Sequence, residues 1–343
     1  MPRTLHKTFE ICKDAIERLQ LDLDGFDVLT ELGTNQFAFL PILTSLAGAN
    51  SVTAFVKDTK YGKADDVEAR FQRLVDEVGF RQNILIRKNV LLESDIAKAD
   101  IVTNSFMLRP LDAEFVAKMA PNTSVISLMY EAWEFRSLDI DLAACEARGV
   151  RVCGVSEGNE KLPIFDFCGP MLAKMVFQAG YEIMQNRIVI LSNDDFGKVA
   201  EATFLALGAE KVILTNDLML VREDLASADF LLLADYQLSG PVFSQGGAAP
   251  LFYLNECNPD LGIVHLFGDI TEEDVAILGS RIFPGSPGQA HTMTRTLSFC
   301  GEIPVVWLQA AGLKAAQEVL QNIPHQFSQL INDLRVNPVR FKS

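Results

Sequence analysis

Arg187-Ile188-Val189-Ile190-Leu191-Ser192-Asn193-Asp194-Asp195-Phe196-Gly197-Lys198-Val199-Ala200 is the stretch on which the fold turns. The apolar run Ile188 to Leu191 fits a strand covered on both faces, and the polar residues Ser192 to Asp195 break it. From Gly197 to Leu207 the apolar residues recur at helical spacing, with Gly208 as the stop. Strand, tight turn and helix in that order open a βαβ unit, and the turn has the spacing of a G-x-G-x-x-G pyrophosphate loop. Its three glycine positions read Ser192, Asp194 and Gly197, so only the last, which lets helix and strand pack closely, is kept. A carboxylate at the second position stands where a pyrophosphate would bring its own negative charges. Ser192, Asn193, Asp194 and Gly197 are candidate cofactor contacts on this reading. Asp194 or Asp195 equally suits the N-cap of the helix. Asp217, just past the next strand Lys211 to Thr215, is a candidate ribose partner or an ordinary loop acid.

The same alternation extends in both directions. Leu5, Phe9, Cys12, Ile16 and Leu19 predict a first helix, followed by strands at Phe26 to Leu32 and Ser51 to Val56, with a helix from Phe37 to Leu46 between them. Further strands are expected at Ile84 to Ile86, Ile101 to Asn104, Ser124 to Leu128 and Gly149 to Val155. Residues 164 to 185 read as one long apolar helix, after which the plan restarts at Arg187. Later strands are expected at Phe230 to Ala234, Leu251 to Leu254, Ile263 to Phe267 and Arg281 to Phe283, and a last helix from about Pro304 to Ile323. Strands alternating with helices imply parallel sheets covered on both faces. The expected class is α/β: two Rossmann-like domains with parallel sheets, a long connecting helix and a cleft between the domains. The boundaries are 1–155, a connecting helix over 156–186, 187–300, and a C-terminal helix and tail over 301–343.

Composition excludes several classes of function. The chain has 343 residues, of which 49% are hydrophobic, and a formal net charge of −15. Such a surface repels phosphate backbones and anionic membranes, so neither nucleic acid nor membrane is expected as a partner. No apolar run approaches the roughly 20 residues that span a bilayer, and the start Met1 to Lys7 lacks a secretory core. The six cysteines are scattered without metal-site or redox spacing, which predicts reduced thiols, a cytoplasmic protein and no metal. The apolar segment Pro163 to Cys168 suits a homodimer face or a core helix equally.

Two further segments offer site residues. Glu31-Leu32-Gly33-Thr34-Asn35-Gln36-Phe37, at the end of the first strand, resembles the acidic-glycine loop of S-adenosylmethionine-dependent methyltransferases in Glu31 and Gly33, with Asn35 and Phe37 in place of later glycines. That likeness implies S-adenosylmethionine as an alternative cofactor; a glycine easing a tight turn explains it as well. Pro284-Gly285-Ser286-Pro287-Gly288-Gln289-Ala290-His291-Thr292-Met293-Thr294-Arg295 fixes an irregular loop after a short strand, then places His291 and Arg295 four apart, as on one helical face. His291 suits a general acid or base and Arg295 a carboxylate of a small substrate. Asp269 is a further candidate, or the cap of the helix after it, and Glu131 and Glu134 lie at another strand end. His265, inside its strand, reads as a core histidine.

The two-domain plan, the connecting helix and the run Ala144-Cys145-Glu146-Ala147-Arg148-Gly149-Val150-Arg151-Val152 resemble the D-2-hydroxyacid dehydrogenases, whose first domain closes on Ala-x-x-x-Arg-Gly-Val-x-Val. The resemblance implies an oxidoreductase that binds NAD or NADP between its domains and acts on a small carboxylate. The family's catalytic Pro-His pair reads Pro287-Gly288 here, with His291 three residues later. With two loop glycines also missing, a non-catalytic descendant and an S-adenosylmethionine-dependent transferase are the other expectations.

Overall fold

The computed structural model describes residues 5–331 other than 61, 78, 81 and 82, so Met1–Thr4 and the expected tail over 332–343 lie outside the described residues. The chain divides into two compact units, Met1–Ile164 with Gly301–Ser343, and Phe165–Cys300. In chain order the elements are α1 (Leu5–Leu19), β1 (Asp27–Glu31), α2 (Phe39–Leu46), β2 (Ser51–Val56), α3 (Ala64–Glu77), β3 (Ile84–Lys88), α4 (Glu93–Lys98), β4 (Ile101–Thr103), α5 (Ala113–Lys118), β5 (Val125–Glu131), α6 (Leu142–Arg148) and β6 (Arg151–Val155). The second unit follows with α7 (Cys168–Gln178), β7 (Arg187–Leu191), α8 (Asp195–Ala206), β8 (Lys211–Thr215), α9 (Arg222–Ala226), β9 (Phe230–Leu233), α10 (Leu251–Cys257), β10 (Gly262–His265), α11 (Glu272–Leu278) and β11 (Ile282–Phe283). The chain then returns to the first unit with α12 (Glu302–Gln321) and β12 (Ser328–Leu330).

Among the described residues, the first unit's sheet has the order β12-β6-β5-β4-β1-β2-β3, parallel except for the antiparallel edge strand β12. The second unit's sheet has the order β11-β10-β9-β7-β8 and is parallel throughout. Both are doubly wound orders in which the chain reverses direction across the sheet, between β1 and β4 and between β7 and β9, and such reversal points leave a crevice at the strands' carboxyl ends. The expected α/β class with two parallel-sheet units is what the chain adopts.

The sequence explains most of these elements. β7 and β8 occupy the residues that the apolar runs mark, because β-branched side chains fill both covered faces. α12 is apolar nearly all round because it packs between the sheet and α1, burying Val306, Ala310, Leu313 and Ala316. Gly312 makes that approach possible, since a Cβ there would lie 2.6 Å from the Met129 sulfur.

Three expectations need correction. Leu251 to Leu254 is the start of helix α10, because a four-residue apolar run has no period of its own and Pro250 just before it suits a helix start. The long helix over 164–185 is shorter: a 3-10 turn over Phe165–Phe167 leads into α7, which ends at Gln178 ahead of Gly180 at φ +87°. His291 and Arg295 do not share a helical face: the segment is irregular, with His291 itself at φ +58°. The apolar segment before α7 is turned inward, with Ile164 and Cys168 buried and the Phe165 ring 5.1 Å from that of Phe196.

Candidate functional site

In the second unit, the crevice between β7 and β9 is spanned by two carboxylates. Asp194, in the turn after β7, accepts from the amides of Phe196 (2.9 Å) and Gly197 (3.4 Å), capping α8. Its second oxygen accepts from the amide of Tyr236, beyond β9, at 2.9 Å. Asp235 returns the contact: it accepts from the amide of Asn193 at 2.8 Å and from that of Gln237 at 2.8 Å. The Ser192 hydroxyl donates to Asp194 at 2.9 Å. Each acid thus ties down the other strand's loop. Burial raises the Asp194 carboxyl above its ordinary value, and the nearby Asp235 charge adds to that.

Gly197 keeps the packing role expected of it: a Cβ there would lie 2.4 Å from that of Ser192 and 2.8 Å from Leu214. The rest of the turn does not fit a pyrophosphate. The amides that would face one end on the Asp194 carboxylate, and an unscreened negative charge would meet the phosphates. Asp217 caps the 3-10 turn over Leu218–Val221, accepting from Met219 at 2.9 Å.

The first unit repeats the device. Glu31, at the carboxyl end of β1, is 1% exposed and accepts from the amides of Ser105 (2.7 Å), Phe106 (2.6 Å) and Met107, all just past β4. Burial raises its carboxyl, and the three amides and Arg109 oppose that rise. Its oxygens are committed to the backbone, so the methyltransferase-like reading loses its ribose partner. Gly33 serves the turn: a Cβ would lie 2.5 Å from that of Phe37. Beside it, Arg109 donates to Asn104 Oδ1 at 2.9 Å and to its carbonyl at 2.8 Å, and pairs with Asp139 at 3.2 Å. Glu131 accepts from the Glu157 amide at 3.1 Å, and burial with the neighbouring Glu131 charge lifts the Glu134 carboxyl to about 7. A cavity of about 430 Å³ in this unit is lined by Leu111, Phe135, Leu138 and Ile140 among others and includes none of the expected site residues.

His291 joins the second unit's crevice. Its Nδ1 lies 2.9 Å from the Tyr236 carbonyl, so Nδ1 carries the proton in the neutral ring and Nε2 is left as the acceptor on an exposed side chain. Its ring lies 6.0 Å from that of Tyr236, whose amide Asp194 holds. Arg295 lies apart from that arrangement, stacked 5.5 Å from the Phe283 ring and 5.9 Å from the Phe299 ring. Asp269 is half-buried, its carbonyl accepting from Val242 at 3.1 Å; the cap of α11 is Thr271, boxed with Asp274. His265 is fully buried, its Nε2 2.9 Å from the Pro284 carbonyl, and burial lowers its pKa to about 4. Sequence reading missed Asp235 and Tyr236, although an acid closing the apolar run Phe230 to Ala234 was the available signal.

Fold and crevice define a class: two doubly wound α/β units with carboxylates at the strand reversals. The solved structure of dipicolinate synthase (its A chain type) from Bacillus halodurans is similar to this chain at a TM-score of 0.53 and 11% identity, covering 84% of this chain and 96% of that one. A D-isomer specific 2-hydroxyacid dehydrogenase family protein from Aeromonas salmonicida matches at a TM-score of 0.42 and 14% identity over 82% of this chain and 100% of its own. D-mandelate dehydrogenase from Rhodotorula graminis matches at 0.41 and 12% over 88% and 97%. The first of these likenesses shows the fold. No protein-family model matches the sequence, and no curated protein matches it. Among the described residues no helix is long and apolar enough to cross a membrane.

Proposed function

We propose that the protein is a small-molecule-binding descendant of the two-domain dehydrogenase fold that does not run dinucleotide-linked hydride transfer at the turn after β7. The observation that supports this is the reciprocal clasp of Asp194 and Asp235, which takes up the amides of Asn193, Phe196, Gly197 and Tyr236. A dinucleotide would have to displace Asp194, strip the α8 cap and bring its phosphates beside two carboxylates. The test is a thermal-shift screen against NAD, NADP, their reduced forms, S-adenosylmethionine and S-adenosylhomocysteine. A ligand at about 100 times its Kd stabilises the folded state by about 2.7 kcal/mol. No shift is expected from the dinucleotides; a shift of that size, together with a change in nicotinamide fluorescence, overturns the proposal.

One observation favours a second reading, an NAD(P)-dependent oxidoreductase acting on a small carboxylate. The Tyr236 carbonyl fixes the His291 tautomer and leaves Nε2 as the acceptor, the arrangement that suits an acid–base group. On that reading His291→Asn abolishes turnover with the fold intact, and retained turnover rejects the role. Six free cysteines accord with a cytoplasmic setting under either reading.

A further inference from the structure

Seven lysines and arginines fall between residues 165 and 300 (Lys174, Arg187, Lys198, Lys211, Arg222, Arg281 and Arg295), against a larger number of acids. Arg187, Lys198, Lys211 and Arg222 pair with carboxylates, and Arg281 bonds Asn255 and the Pro259 carbonyl. Lys174 and Arg295 are the two left without an acidic partner among the described residues, and both sit against the same ring. The Lys174 ammonium lies 4.3 Å from the Phe299 centroid and donates to the Phe299 carbonyl at 2.6 Å. The Arg295 guanidinium lies 5.9 Å from that centroid and 5.5 Å from the centroid of Phe283, with one N–H donated to the Thr294 carbonyl at 2.9 Å.

Stacking uses the face of a guanidinium and leaves its edge, where the N–H groups point, open to an acceptor. The ammonium likewise keeps N–H groups beyond the one that Phe299 takes. Both cations are held by ring and carbonyl before any ligand arrives, so little side-chain entropy remains to be lost on binding. In a strongly acidic chain, two adjacent unpaired cations fixed on one aromatic ring are the place where an anion is attracted rather than repelled. We infer that Lys174 and Arg295, set around Phe299, bind the carboxylate of a small molecule, with the Arg295 edge taking it bidentately and Lys174 supplying the second charge. This site is independent of the Asp194 turn and of any dinucleotide.

The test is calorimetric titration of the full chain with succinate, malonate and inorganic phosphate as probes, in low and in physiological salt. A dicarboxylate is expected to bind, more weakly as salt rises, and to lose at least tenfold in affinity in Lys174→Gln, an exposed position where folding is not at risk. Arg295→Lys keeps the charge but not the fork, and is expected to lose a similar factor while circular dichroism stays unchanged. No dicarboxylate binding at millimolar concentration overturns the inference, as does binding that both variants leave untouched. Phosphate binding more tightly than either dicarboxylate overturns the carboxylate assignment.

Discussion

Restoring the second glycine of the turn is the sharpest perturbation. Asp194→Gly removes a carboxylate that accepts from Phe196, Gly197, Tyr236 and the Ser192 hydroxyl. Glycine is a tolerable N-cap, so the lost cap costs a few tenths of a kcal/mol, and the released amides, at a half-buried site, add about 1 kcal/mol more. What the substitution gains is electrostatic. A unit charge about 4 Å from a phosphate charge is worth roughly 4 kcal/mol at an effective dielectric of 20, and exposure of the turn reduces that to about 2–3 kcal/mol. At 1.4 kcal/mol per tenfold, affinity for pyrophosphate or ADP-ribose should rise about 30- to 100-fold. Asp195→Gly is the matched control: it makes the same change in net charge, but Asp195 points to Lys198 at 2.8 Å rather than into the crevice. Isothermal titration of the wild type and both variants with inorganic pyrophosphate and ADP-ribose reads the difference. Equal affinities in the two variants, or micromolar binding already in the wild type, would refute the argument that Asp194 occupies the place of a phosphate.

Glu31→Gln exchanges one acceptor oxygen for an NH2 that faces amide donors in a buried crevice, and should cost about 3 kcal/mol in urea unfolding; a loss below about 1 kcal/mol would show the three amides finding other partners. His265 has a folded pKa of about 4 against 6.5 unfolded, so its contribution is present above pH 6.5 and is lost as pH falls from there towards 4. That window holds about 3 kcal/mol, and a His265→Asn variant should show a correspondingly flatter stability profile than the wild type between those pH values. Gly154→Ala would place a Cβ 2.4 Å from the Ala132 nitrogen and 2.6 Å from its Cα, backbone atoms that cannot rotate away, and should lower stability by about 1–3 kcal/mol in the same assay.

What the sequence made legible was local. β2, β7 and β8 begin and end where their apolar runs do, and Asp194 is readable as a cap because its partners Phe196 and Gly197 lie within one turn. The remaining contacts of the crevice join distant segments: Asp194 to Tyr236, Asp235 to Asn193, and Glu31 to residues past β4. No periodicity records such pairs, because they follow from which strands become neighbours in the sheet. The same holds for Lys174, which meets Phe299 only through the packing of α7 against the segment after β11. Where local signals misled, at Leu251 to Leu254 and at His291, the runs were too short to show a period.

The carboxylates at the two strand reversals give these distant contacts one physical meaning. A parallel sheet gathers unsatisfied amides at its reversal point, and a fold that binds nucleotides leaves them for a phosphate. Here Glu31 fills that place in one unit, and Asp194 with Asp235 fills it in the other, each giving the amides an anion from the chain itself. The crevices gain internal hydrogen bonds at the expense of affinity for phosphates, and the negative charge held there turns anionic groups away. A carboxylate ligand is then left with the one part of the second unit where cations stand unpaired, at Lys174 and Arg295.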